Sequence, residues 1–443
     1  MRLVIEGILA HGLGGRVDLP VPRWLFVFGA AAALLLSFVA LAGLWREPRF
    51  EHRVEPRARP SGLQSILTNR RLEWAIRIVS LGFAVVVTIA SFLPVGTTET
   101  IGPVVVFVWF WVGLAFAHGL FGNWWATLSP WDTLGRLLAF DEEQQPPQRE
   151  YPNAWGAWPA AILLFLFVWL ELVDPFGSRQ GWLGFAIVGY SAITLGGIAV
   201  YGRGAWARDG EAFAAYLDLF ARMAPLTRDP DGRVVWRPPL AGLAGLEPRP
   251  GRLALILVAL GSTTFDGLSR TPFWTDLTGS LAGFALIAAG TAGLVATILA
   301  VGGFYAVAMA AASRVTDEPW HVLAVRFAHS LVPIAFAYVV AHYFSFLLIE
   351  GQIGLSRLSD PFGRDWNLFG TRDWLVNLTL VSPTAIWYVQ VFAIVAGHIG
   401  GVILAHDRAI AVYTPRVALR TQYALLAVMV VFTATGLLIL SGG

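Results

Sequence analysis

The chain has no cysteine and no lysine, so chemistry that binds metals or moves protons falls to its eight histidines and its carboxylates. Four of these, Glu171, Asp266, His342 and His398, lie in stretches that are otherwise apolar. An ionisable side chain in such a stretch is costly unless it pairs or faces water, which makes each a candidate for function. Two carboxylates with two imidazoles form a ligand set for a divalent metal such as zinc, manganese or iron, and the same set serves equally well as a proton relay. Spacing does not decide between them. A purely structural reading also stands, in which each histidine bonds a neighbouring helix and Asp266 caps a helix break.

The remaining histidines carry weaker signals. No H-E-x-x-H motif is present, and His398 and His406 are eight residues apart, roughly 12 Å along a helix. His118 is followed by Trp124, Trp125 and Trp131, the pattern of an aromatic belt at a membrane boundary, and Ser129-Pro130 reads as the start of an interfacial helix. His329 and His406 stand beside Arg326 and Arg408 near the inner interface. His11 lies in Ala10-His11-Gly12-Leu13-Gly14-Gly15, outside the membrane. The N-terminal stretch that contains Glu6 is too short to be a signal peptide and is read as uncleaved; cleavage after Ala10 would create a copper-binding amino terminus.

Composition removes many classes of function. Without cysteine there are no disulfides, iron–sulfur clusters, thiolate zinc sites or Cys nucleophiles, and all 31 basic residues are arginine, which excludes a lysine Schiff base. A net charge of +2 gives no reason to expect nucleic-acid binding. No phosphate-binding G-x-x-x-x-G-K-[ST] loop and no G-x-S-x-G elbow occurs, so a nucleotide-driven pump and a common serine hydrolase are disfavoured.

The elements that must hold these residues are membrane helices. Of 443 residues, 56% are hydrophobic and 14% charged, with a mean hydropathy of +0.63; a soluble chain carries about 25% charged residues. The sequence predicts an all-α polytopic membrane protein, a single bundle of about ten transmembrane helices. The spans fall near 22–45, 73–94, 103–121, 157–173, 182–202, 252–268, 281–309, 321–349, 384–407 and 421–440. With the segment 46–72 cytoplasmic, loops on that side hold 21 arginines against eight on the other, so both termini are expected outside. In that frame His342 lies roughly 10 Å below the outer end of its helix and His398 roughly 20 Å below the outer start of the next. Glu171 and Asp266 come late in outward-running spans, so the four converge on the outer half. The fourth and sixth spans are the weakest, the sixth being interrupted at Gly261-Ser262-Thr263-Thr264-Phe265-Asp266-Gly267. An amphipathic cytoplasmic surface helix is expected near 210–224, with Phe213, Tyr216, Leu217 and Phe220 on its apolar face. A polar turn from Arg228 to Arg233 leads into a short strand at Val234-Val235-Trp236, and the Asp174-Pro175 and Asp360-Pro361 tetrapeptides read as turns.

Several of these stretches resemble a group of bacterial, largely actinobacterial, integral membrane proteins known as fenitrothion hydrolases. The likeness is carried by Ala10 to Gly15 with Asp18-Leu19-Pro20, Gly261 to Ser269, Phe327 to Ala335 through His342-Tyr343, Leu380 to Thr384, and Leu404 to Ala409; it covers nearly the whole chain. It implies a protein of the bacterial plasma membrane that cleaves organophosphorus triesters at the aryl–oxygen bond. Such hydrolysis wants an activated water and an electrophilic contact to the phosphoryl group, which a divalent metal held by His342, His398, Asp266 and Glu171 would supply. Asp266, Glu171 and Tyr343 would be the catalytic side chains, Tyr343 donating to the developing charge, with tryptophans and phenylalanines binding a hydrophobic substrate. A proton-coupled transporter of a small molecule explains the same residues, with Pro333 as a kink. A b-type haem or accessory subunit is a third reading, since His329 and His342 share one predicted helix. The expected partners are the lipid bilayer, a hydrophobic small molecule, and a membrane complex or second copy of the chain, with neither nucleic acid nor nucleotide.

Overall fold

The computed structural model describes residues 23–51, 57–58, 68–93, 100–138, 147–174, 181–229 and 232–442. The readings made for the N-terminus up to residue 22 and for Pro175 to Gly177 lie outside them. Among the described residues, eleven helices of ten residues or more build the body: α1 Arg23–Leu44, α2 Arg70–Ala90, α3 Ile101–Phe121, α4 Trp158–Leu172, α5 Trp182–Tyr201, α6 Ala212–Ala221, α7 Arg252–Ser269, α8 Phe284–Thr316, α9 Val332–Ile349, α10 Pro383–Val412 and α11 Pro415–Gly442. Their starts follow local chemistry. Asn69 caps α2 by accepting from the backbone N–H groups of Arg71 and Leu72, and Ser382 caps α10 with Pro383 in its first turn.

The fold is that of an all-α membrane protein. Among the described residues, eight helices are long and apolar enough to cross a bilayer; α9 counts within a run from Trp320 to Ser359. The expected spans at 22–45 and 157–173 are also helical, as α1 Arg23–Leu44 and α4 Trp158–Leu172. The 15 residues of α4 reach about 22 Å, less than a hydrocarbon core of about 30 Å.

Two expectations are corrected. The sixth span is not interrupted: α7 runs unbroken through Gly261 to Gly267. Its hydroxyls bond back to the helix, Thr263 to the Ala259 carbonyl and Thr264 to that of Leu260. Gly261 serves a close approach, since a Cβ there would lie 2.7 Å from Ile298 Cα of α8. The helix near 210–224 does not lie on a surface. In α6, eight of ten side chains including Ala215, Leu219 and Ala221 are buried, with Ala214 and Asp218 partly exposed, and Trp111 of α3 stacks on Tyr216 at 4.8 Å.

Where a kink was expected at Pro333, a 3₁₀ turn covers Ala328–Leu331, and α9 starts after it with Pro333 in its first turn. Asp360 makes the expected turn by accepting from the backbone of Arg364 and Asp365. Val234–Trp236 forms the middle strand of a small antiparallel sheet, with Arg57–Ala58 and Leu226–Arg228 on either side. The core helices around the candidate residues are α7, α9 and α4, with α10 packed along α9.

Candidate functional site

Asp266 is fixed three residues before the end of α7 and is 1% exposed. Its Oδ2 lies 2.9 Å from His342 Nε2 and accepts the Tyr343 hydroxyl at 2.8 Å, both from α9. Its Oδ1 accepts a fork from Arg270, Nε at 3.1 Å and Nη2 at 2.9 Å, one helical turn further along α7. Helical periodicity explains this arm, because residues four apart share a face. The Asp266 carboxylate therefore ties α7 to α9 through two side chains while a guanidinium neutralises it from below.

Glu171, in the last turn of α4, joins the same neighbourhood. It lies within electrostatic reach of Asp266 and Arg270, and of Tyr343 and Tyr216. Among the described residues its Oε2 is buried without a hydrogen-bond partner. Two carboxylates therefore face one guanidinium at this end of α7.

His398 does not join them. Its Nδ1 lies 2.8 Å from the Ile394 carbonyl of its own helix, and its Nε2 is buried without a partner. The neighbouring Gly397 packs against Pro333 and Ala337 of α9, which sets His398 roughly 8 Å along that helix from His342. Among the described residues no three His, Asp or Glu side chains are grouped to hold an ion. The Asp266 carboxylate also fits a metal poorly, since a carboxylate offers about four lone-pair sites and four hydrogen bonds already occupy them.

The structural reading of Asp266 as the cap of a helix break falls with the break itself. For the other histidines, links between helices prevail. His118 Nε2 accepts the Trp125 backbone N–H at 2.9 Å. His406 lies 3.1 Å from both Gln422 Oε1 and the Trp45 carbonyl. His329 Nδ1 is 3.2 Å from the Arg326 carbonyl.

Sequence reasoning missed three polar residues. Arg270 was legible from its i, i+4 spacing to Asp266. Glu211 caps α6, accepting from Phe213 and Ala214 N–H, from Trp125 Nε1 at 3.1 Å and from the Tyr190 hydroxyl. Its place just before an apolar helix was the available signal. Asp407 binds three successive backbone N–H groups more than 350 residues away, for which no local pattern exists.

Compared with known proteins, the chain matches no family model, no curated protein and no solved structure.

Proposed function

We propose that this is a proton-coupled membrane transporter of a small hydrophobic molecule, with the Asp266 centre as the group that takes up and releases the coupling proton. What carries the reading is the junction itself: one buried carboxylate holds α7 to α9 beside a second carboxylate with an unpaired oxygen. Protonation of any member changes the bonds between two helices, and a carboxylate–imidazole pair within a membrane bundle suits proton transfer. The frame for this reading is ten spans in a bacterial plasma membrane with both termini outside.

Organophosphate hydrolysis is the second reading, supported by the resemblance to fenitrothion hydrolases and by the Asp266–His342 contact. A carboxylate that orients an imidazole is the arrangement of a general base, and Tyr343 and Arg270 could donate to charge on a phosphoryl oxygen.

One preparation separates the two. Purified protein is reconstituted into sealed vesicles loaded with a pH-sensitive dye and challenged with fenitrothion, its nitrophenol product and ethidium. Proton movement that depends on one of these compounds, needs a sealed membrane and disappears in Asp266→Asn is the expected result. Phenol released by detergent-solubilised wild type but not by His342→Ala would overturn transport in favour of hydrolysis. No compound-dependent proton movement would also overturn it.

A further inference from the structure

A cavity of about 980 Å³ opens between α2, α3, α4 and α5, closed at one end by Trp125, Trp131 and Phe213. It borders α4 but not Glu171, so it is separate from the Asp266 centre. Its walls are almost wholly apolar, and the polar side chains on them are already satisfied. The indole N–H groups of Trp109, Trp125, Trp131 and Trp169 donate to Gly351, Glu211, Ser191 and Thr291. The hydroxyls of Ser80, Thr88 and Ser191 donate to main-chain carbonyls, and that of Tyr190 donates to Glu211. No wall side chain has a hydrogen-bond donor left to recognise a polar ligand. Few polar atoms face the space, so water gains little by filling it.

The mouth of the cavity identifies the occupant. Val79, Val85, Ile89, Leu166 and Ile193 line it and are 49 to 72% exposed, so it opens sideways onto the outward faces of α2, α4 and α5. In a chain whose apolar helices belong in a bilayer, those faces meet hydrocarbon. The cavity is also elongated: its wall on α2 runs from Ala75 to Ile89, about 21 Å along the helix, two-thirds of a hydrocarbon core about 30 Å thick. We infer that this is a binding site for one acyl chain of a membrane lipid, entering laterally and lying along the helices. The headgroup contributes no contact within the cavity, so recognition is by chain shape.

The test is photolabelling of the full protein in phosphatidylcholine vesicles doped with phosphatidylcholine that carries a diazirine on one acyl chain, with labelled peptides mapped by mass spectrometry. A bound chain should label the wall peptides of α2, α4 and α5 at least fivefold more than the α8 surface around Leu299 and Val307, which are 67% and 65% exposed. Filling the cavity by Ala84→Trp or, separately, Ala186→Phe should bring wall labelling down to the α8 level. Melting temperature in detergent identifies which filled variant is folded and therefore counts. Equal labelling of walls and α8 surface, or labelling that survives filling, would show ordinary boundary lipid and overturn the inference. Walls protected from label in a dimeric protein would assign the cavity to a second copy, which also overturns it.

Discussion

His342 and Tyr343 are consecutive residues of α9, yet both reach the same oxygen of Asp266, at 2.9 and 2.8 Å. Successive side chains on a helix diverge by about 100°, so the carboxylate must sit in the wedge between them, wedged in turn by α7 against α9. A group held from two directions and paired with Arg270 is hard to lose. Asp266→Ala should destabilise the protein by about 1–3 kcal/mol, because it removes the acceptor of the Tyr343 hydroxyl and of the Arg270 fork. Tyr343→Phe should cost about 1.5–3 kcal/mol, the range for a hydrogen bond to a charged group. Denaturant titration in detergent measures both, and the Tyr343→Phe/His342→Ala pair should show a coupling above about 0.5 kcal/mol. Strict additivity would mean that the two contacts to Asp266 are independent.

Much of this architecture was legible because apolar length predicts helices regardless of their neighbours. The errors share a cause: composition reports polarity but not direction. Gly261, Ser262, Thr263 and Thr264 looked like a break, but hydroxyls that bond back to their own helix, together with a glycine that admits α8, make α7 continuous. In the same way, the sequence placed His398 in the same half of the bundle as His342 but could not show that its Nδ1 lies against the Ile394 carbonyl of its own helix. Of the candidate residues, Asp266, His342 and Tyr343 meet, and Glu171 lies beside them. Alternation of Phe213, Tyr216, Leu217 and Phe220 suggested a one-sided helix only while the alanines between them were ignored.

The His406-Asp407-Arg408 triplet makes a second prediction, about anchoring. Asp407 accepts from Trp45 Nε1 at 2.8 Å and from the backbone N–H groups of Arg49, Phe50 and Glu51 at 2.6, 2.9 and 3.0 Å. Arg408 pairs with Glu51 and donates to the Ala244 carbonyl at 2.7 Å. The segment after α1 is thereby bound to the end of α10. Asp407→Ala should cost about 2–4 kcal/mol through the donors it strands, and should raise the rate of tryptic cleavage at Arg46 and Arg49 at least tenfold. Unchanged cleavage would mean that other contacts hold the segment.

Packing between α9 and α10 gives a third. Gly397 and Gly401 are four residues apart on one face, the spacing of close helix approach in membranes. A Cβ on either would lie 2.7 Å from a carbonyl oxygen across the interface, that of Pro333 or of Ser330. Gly397→Ala and Gly401→Ala should each destabilise by about 1–3 kcal/mol, the cost of overpacking. Gly303→Ala is the control, because nothing lies within 4 Å of its added Cβ, and it should be neutral or stabilising by up to about 1 kcal/mol. Equal effects at all three positions would show that backbone freedom, rather than contact, decides the outcome.

The last prediction concerns acid. Asp132 lies on the short helix Pro130–Leu137 and accepts from Arg77 Nη1 at 2.8 Å, Arg136 Nε at 2.9 Å and Arg203 Nη1 at 2.6 Å. Burial pushes its carboxyl up, but the hydrogen bonds and charges of Arg136 and Arg203 outweigh burial and hold it below the ordinary carboxylate range. A carboxyl depressed in the folded state contributes stability that is present above its unfolded value, about 3.9, and is lost as pH falls through the folded value. Glu318, held low by hydrogen bonds from Arg326 and Tyr413, titrates in the same direction, so the acid limb of the wild type alone does not isolate Asp132. The difference between wild type and Asp132→Asn does. That stability gap should be constant from about pH 5 to 8 and should shrink below about pH 4, where the wild-type carboxyl takes the proton that the amide never carries. Melting temperatures of the two proteins across this range measure it, and a gap that stays constant down to pH 2 would mean that the three arginines do not perturb Asp132.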